Sequence, residues 1–257
     1  MIPKIIHYCW LSNDPFPPQI QRCIDSWVKY MPDYQIKKWS TETFNINSIP
    51  LVKEACEARK WAFAADYIRC YALYTEGGIY LDSDVLLHEN IQYLLEGKNY
   101  VSAIEFHPIN KKNYKLQVNQ DGERLPQVKF VQGVGLQAAF MASVAGHPLL
   151  KEYLDFYKKM SLQEIIEESY LAPIVQIQAA EKYGVKYKDE LQELAQGIVL
   201  YPTSIVGQGE NDIKGRSLTH MCAASWVANS TKRKLIKFLD RYGLYKLYIR
   251  LKFLFFS

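Results

Sequence analysis

The chain has 257 residues, about half of them hydrophobic and 23% charged, which suits one large domain or one domain with an appendage. The formal net charge of +4 comes from its end: residues 232–257 hold eight basic side chains and one acid, Asp240, and the rest keeps 23 basic against 26 acidic groups, a net of −3. No basic patch is evident outside that tail and no apolar run approaches roughly 18 residues, which excludes nucleic acid as a partner and a bilayer span. The five cysteines are scattered without a CxxC pair, as in a reduced, cytosolic compartment with structural thiols. The opening "MIPKIIHYCWLS" reads as too short and too strand-like for a signal peptide.

In chain order, "KIIHYCWL" predicts a buried first strand. Residues 17–31 place Ile20, Cys23, Ile24, Trp27 and Met31 at helical spacing. "QIKKW" predicts a second strand, and "IPLVKEACEA" a helix with proline near its start. "KWAFAADYIRCYALYTEGG" predicts a stronger helix with an apolar stripe through Ala62, Ala65, Ile68, Ala72 and Leu73, ended by Gly77. "GGIYLDSDVLL" then reads as one buried strand. "NYVSAIEF" predicts another, and residues 107–130 a polar hairpin or loop on the acceptor side. "GLQAAFMAS" predicts one strand, "HPLLKEYLDFY" and "PIVQIQAAEKYG" helices, and "GIVLYP" a short strand. The alternation of strand and helix predicts an α/β class with a largely parallel sheet.

Asp82 and Asp84 interrupt the apolar run at 77–87 with a single serine between them. In a strand, i and i+2 share a side, so both carboxylates would face one site at the strand's carboxyl end, where open α/β sheets bind ligands. Two hard oxygen donors suit Mg²⁺ or Mn²⁺ bridging a diphosphate; the plain alternative is a pair of solvent-facing turn aspartates. Upstream, Asp66 and Arg69 are i, i+3 neighbours on a helix. They read either as a structural ion pair or as a clamp on sugar and diphosphate.

Taken together, "IPKIIHYCWLS", "AFAADYIRCYALYTEGGIYLDSDVLL" and "THMCAASW" resemble, in order, three motifs of the Och1-like, DXD-containing GT32 glycosyltransferases, including those of bacterial capsule and O-antigen synthesis. "GVGLQAAFMASVAGHPLLKEYLDFY" and "IVLYP" fit the intervening pattern, so the resemblance runs over most of residues 1–226. It is similar, more distantly, to the glucosyltransferase domains of large clostridial toxins. The resemblance implies a GT-A fold, a Rossmann-like nucleotide-binding α/β/α sandwich over residues 1–231, and retention of anomeric configuration. It implies a nucleotide-sugar donor, first a UDP-hexose such as UDP-galactose, with Mn²⁺ or Mg²⁺ as cofactor. Asp82, Asp84 and His220 would hold the metal. Trp10 would stack on the base with His7 nearby, although plain core burial is the alternative for Trp10. Asp66, Arg69 and Tyr80 would contact ribose, sugar and phosphate, and Ser225 and Trp226 would close over the diphosphate. Asp66, Arg69, Asp82 and Asp84 form the expected catalytic set. The chain departs from the family pattern at Ala65, at Ala224 and over "TSIVGQGEND", which bear on sugar and acceptor preference.

The tail, residues 232–257, alternates basic and apolar groups. It reads as an amphipathic helical segment held at an anionic membrane surface, with Phe253, Phe255 and Phe256 as anchors, or as a helix packed on the body. The membrane reading fits an acceptor on a polyprenyl diphosphate, in surface polysaccharide synthesis at the inner face of the plasma membrane. Two rival functions remain open. An apolar strand ending in D-x-D also opens haloacid-dehalogenase-type phosphatases, and a non-catalytic sugar-binding protein would keep the same fold.

Overall fold

The computed structural model describes residues 1–12, 14–108, 110–209 and 211–222. The apolar segments expected as strands build one mixed sheet. Strand β1 (Ile5–Cys9) lies between β2 (Gln35–Trp39) and β3 (Gly78–Leu81), parallel to both. The sheet continues from β3 antiparallel to β7 (Phe140–Ser143), then β5 (Tyr100–Phe106), β9 (Ile198–Tyr201) and β8 (Gln192–Leu194). Strand β6 (Val134–Leu136) pairs with the far half of β5. A second, three-stranded sheet is ordered β10 (Val206–Gln208), β11 (Leu218–His220), β4 (Val85–Leu87).

Helices α2 (Pro50–Glu57), α3 (Trp61–Glu76), α5 (Pro148–Tyr157) and α7 (Ala172–Ala180) cover one face of the main sheet. Helix α1 (Pro18–Tyr30) and the small sheet cover the other, so the expected α/β/α layering is present. Period-two alternation sorts the side chains: Tyr80 joins the α3 core, and its neighbours Ile79 and Leu81 join the α1 core. Prolines start α1, α2, α5 and α7 in the first turn, where a missing N–H removes no helical bond. Two short helices, α4 (Lys111–Lys115) and α6 (Leu162–Glu167), complete the set; α6 opens with a Ser161–Glu164 capping box that the sequence reading passed over. Among the described residues, no helix is long and apolar enough to cross a membrane.

The reversal from α3 into β3 requires the two glycines of the "GG" pair. Gly77 and Gly78 have φ of 68° and 107°, and a Cβ on Gly78 would stand 2.6 Å from Ile5 O. Gly77 N also bonds Leu73 O, closing the helix end.

Two expected strands are each broken in two. "GGIYLDSDVLL" is not one strand: β3 ends at Leu81, Asp82–Asp84 turn with Val85 N on Asp82 O, and β4 leaves for the small sheet. Helix α1 receives the displaced strand, since Trp27 Nε1 donates to Val85 O and Leu87 N donates to Ser26 Oγ. "GLQAAFMAS" is likewise split into β6 and β7 at residues 137–139. Ser102 Oγ bonds both Gln137 O and Phe140 O across that break, and Ala139 N donates to Gln137 Oε1. Residues 107–130 form α4 followed by a narrow antiparallel pairing of Val118 with Arg124.

Candidate functional site

The two breaks meet. Asp82 N donates to Ala139 O, which ties the Asp82–Asp84 turn to the gap between β6 and β7 at the carboxyl end of β3. The carboxylates share a site because a turn carries the chain between two sheets, not because a continuous strand puts i and i+2 on one side.

His220 arrives from the other end of the sequence by strand register. Strand β11 runs antiparallel to β4 with His220 opposite Val85, and Met221 N bonds Asp84 O. One ligand atom from each of Asp82, Asp84 and His220 lies within 4.8 Å of the others. Asp84 is 8% exposed, and its Oδ1 lies 3.4 Å from His220 Nε2. Two hard carboxylates and one imidazole at this separation fit a divalent ion of the Mn²⁺ or Mg²⁺ kind. Burial works against an imidazolium at His220, but Cys222 and Asp84 outweigh it, and the pKa lies well above the ordinary histidine value.

On the other side of the turn stands a buried clasp. Arg69, 4% exposed, directs Nη2 to Asp66 Oδ1 at 3.0 Å and to Asp82 Oδ1 at 3.4 Å. Its Nη1 donates to Ala138 O at 2.6 Å and its Nε to Ala65 O at 3.2 Å. The Tyr80 ring lies beneath the guanidinium, 5.0 Å from ring centroid to Cζ, and the Tyr80 hydroxyl donates to Asp82 Oδ1 at 2.9 Å. Helix α3, strand β3, the turn and the β6–β7 break are thus joined at one cation. Burial raises the Asp66 carboxyl to about 7 although Arg69 pulls it down.

Three of the expected site residues are engaged within the protein. His7 is wholly buried, with both ring nitrogens engaged: Trp39 Nε1 donates to Nδ1 at 3.1 Å, so Nε2 carries the proton and meets Gly77 O at 2.8 Å. It fastens β1 to β2 and to the α3–β3 reversal; burial also lowers its pKa. Arg69 and Tyr80 are buried against Asp66 and Asp82 and hold those carboxylates in place.

Trp10 is half-buried at the carboxyl end of β1 and is not swallowed by the core. It packs edge-to-face on Phe16, donates from Nε1 to Asp14 O, and lines a cleft with Ser12, Lys38 and Glu42. A larger concavity than this cleft lies elsewhere, lined by Gln117, Phe130, Gln132 and Glu167, and shares no residue with the carboxylate cluster. Ser225, Trp226 and the tail 232–257 lie outside the described residues. The cysteines are free thiols, and burial pushes Cys9 and Cys23 up to about 12, away from nucleophilic use. Sequence reasoning missed Ala138 and Ala139, which enter through carbonyl oxygens and carry no side-chain signal.

Comparison with known proteins bears on this corner of the molecule. Residues 17–102 match the family model of the glycosyltransferase sugar-binding region containing the DXD motif. Inositol phosphoceramide mannosyltransferase 3 of Schizosaccharomyces pombe is 33% identical over 98 residues, 37% of this chain and 27% of that protein, so the match spans about a quarter of the relative's length. Among solved structures, the PaToxG glycosyltransferase superposes at a TM-score of 0.48 with 18% identity, over 70% of this chain and 69% of that one. Mouse xyloside xylosyltransferase 1 gives 0.47 with 10% identity, over 87% and 99%. The galactosyltransferase LgtC gives 0.40 with 13% identity, over 93% and 95%. A DXD turn at the carboxyl end of a central strand, within an α/β/α sandwich, is the layering that the sequence resemblance implied. Residues 17–102 are therefore similar to the DXD-containing sugar-binding region of glycosyltransferases.

Proposed function

We propose that the protein is a metal-dependent, retaining glycosyltransferase that moves a hexose from a nucleotide-sugar to a glycan. The observation that carries this reading is the convergence of Asp82, Asp84 and His220 inside and beside the matched sugar-binding region. These three residues would hold Mn²⁺ or Mg²⁺. A divalent ion there supplies charge neutralisation for the departing diphosphate.

The chain's own residues do the rest. Tyr80 and Arg69 fix Asp82 from behind, so the carboxylate needs no reorganisation when the donor arrives. Asp66, at the edge of the clasp, accepts hydrogen bonds from hydroxyls of the donor sugar. Trp10 offers an aromatic face to the base from the end of β1. Transfer breaks the bond from the anomeric carbon to the β-phosphate oxygen and forms one to the acceptor oxygen on the same face. The acceptor's proton passes to the leaving phosphate oxygen, so no dedicated protein base is needed. No observation favours the phosphatase alternative: Asp82, which would be its nucleophile, has Oδ1 held by Tyr80 and Arg69.

UDP-galactose is the first donor to try. The proposed acceptor is an oligosaccharide on a polyprenyl diphosphate, in capsule or lipopolysaccharide synthesis. In this reading, residues 1–231 form the catalytic domain, and residues 232–257 hold it peripherally at the cytoplasmic membrane face. The reading is tested with a panel of UDP- and GDP-sugars and Mn²⁺, scoring free nucleotide. One donor should be hydrolysed slowly in a metal-dependent way; a panel in which none is bound or hydrolysed overturns the proposal.

A further inference from the structure

One carboxylate beside the site has no role in the account above. Glu105 lies at the carboxyl end of β5, half-buried, with Oε1 accepting from Gln208 Nε2 at 3.1 Å. Gln208 is the register partner of His220 in the parallel β10–β11 pair. Register-paired residues of parallel strands project to the same face about 4.8 Å apart, so the Gln208 amide stands next to the imidazole. Glu105 is therefore one amide removed from the third candidate metal ligand, although 115 positions separate it from His220 in sequence.

Its side of the sheet matters. Glu105 is in phase with Val101 and Ala103, which pack in the core beneath the small sheet with Val206 and Leu218. Asp66 stands on α3, whose buried face packs in the opposite core with Ile104. Asp66 and Glu105 thus lie on opposite faces of the main sheet. Two residues beyond Glu105 begins the polar segment 107–130, which leaves the main sheet at its ligand-binding end.

We propose that Glu105 is the acceptor-binding carboxylate. It receives a hydrogen bond from a hydroxyl of the acceptor sugar and sets that sugar beside the diphosphate, opposite the donor sugar on the Asp66 side. The acceptor so recognised is an uncharged hexopyranoside, because an anionic group would meet Glu105 and the donor's diphosphate together. This inference rests on the transferase reading.

The experiment uses the full chain with Mn²⁺, the nucleotide-sugar found active in the donor panel, and a panel of octyl hexopyranosides as acceptor probes. E105Q keeps an oxygen for Gln208 Nε2 but removes the charge, so it separates acceptor recognition from a tether between the sheets. E105Q should raise the acceptor KM by about tenfold to a hundredfold, as expected for losing a hydrogen bond to a charged group. The donor KM should stay within about twofold, and the melting temperature should not move. Q208A should raise the acceptor KM by a smaller factor, because Glu105 is then no longer aimed. An unchanged acceptor KM in E105Q makes Glu105 a tether and overturns the proposal. Equal rises in donor and acceptor KM place it on the donor side and also overturn it. A wild-type chain that turns over the donor but accepts no glycoside overturns the acceptor assignment and leaves the transferase reading standing. A wild-type chain inert to every nucleotide-sugar removes both.

Discussion

The two sides of the Asp82–Asp84 turn are built on opposite plans. On the α3 side, Asp66, Arg69, Tyr80 and Asp82 form a closed clasp whose members lie within 17 positions of one another. On the small-sheet side, Asp84 meets His220 across 136 positions, brought together by the pairing of β4 with β11 and by Met221 N on Asp84 O. The first side has its hydrogen bonds made before any ligand arrives. The second is a cluster of donor atoms, Asp82, Asp84 and His220, that lie within 4.8 Å of one another and would turn to a metal in the proposed reading. One plan fixes geometry and the other leaves a reactive gap, and the site needs both.

The sharpest way to break the comparison is Asp84→Ala. It removes a ligand from the open side without touching the clasp, and it should lower metal-dependent turnover by about a thousandfold or more. Folding should be retained; unchanged Mn²⁺ titration in calorimetry would contradict the assignment. Arg69→Met attacks the closed side instead. It leaves the largely buried Asp66 and the partly buried Asp82 without their cation, and breaking such a pair should cost about 3 kcal/mol. Thermal unfolding should move down by roughly 5–12 °C. Adding Asp66→Asn should recover part of that loss, and full additivity in the double-mutant cycle would show that the clasp is not a unit.

The open side should also answer to pH. His220 has its pKa raised, burial opposing and Cys222 and Asp84 prevailing, so the metal-free imidazole holds its proton at neutral pH. Metal must displace that proton, so Mn²⁺ affinity should climb by up to about tenfold per pH unit across the neutral range. The metal-free chain should do the reverse. A raised folded pKa gives stability that is full below the unfolded value of 6.5 and is lost as pH climbs through the folded one. Melting curves with and without Mn²⁺ should therefore diverge as pH increases; parallel curves would remove His220 from the metal set. The smallest effect is expected for Tyr80→Phe. Losing one hydrogen bond to Asp82 should reduce turnover about tenfold, with the metal stoichiometry unchanged.

Much of this molecule was readable before its structure. Apolar spacing located α1, α3, α5 and α7, and the glycine pair located the α3–β3 reversal. The D-x-D residues and His220 stood out through the ordered set of motifs. What periodicity did not disclose was where an apolar strand changes sheet. Val85, Leu86 and Leu87 are as hydrophobic as Ile79 and Leu81, and only α1, through Ser26 and Trp27, determines that β4 pairs elsewhere. The i, i+3 spacing of Asp66 and Arg69 was visible, but the engagement of Arg69 with Asp82 and Ala138 O depends on long-range contacts. The closed state of His7 was not legible either, because a histidine beside Trp10 reads the same whether its nitrogens are open or engaged.

The distance in sequence between Asp84 and His220 has a consequence for synthesis. A growing chain displays the two aspartates long before residue 220 is made, and β4 has no β11 beside it in that interval. Two carboxylates on an unpaired turn hold a divalent ion loosely, so the nascent protein is not committed to a metal while its sheet is still sorting strands. In the proposed metal-binding reading, tight capture waits until β11 docks, so metal retention would report a finished fold.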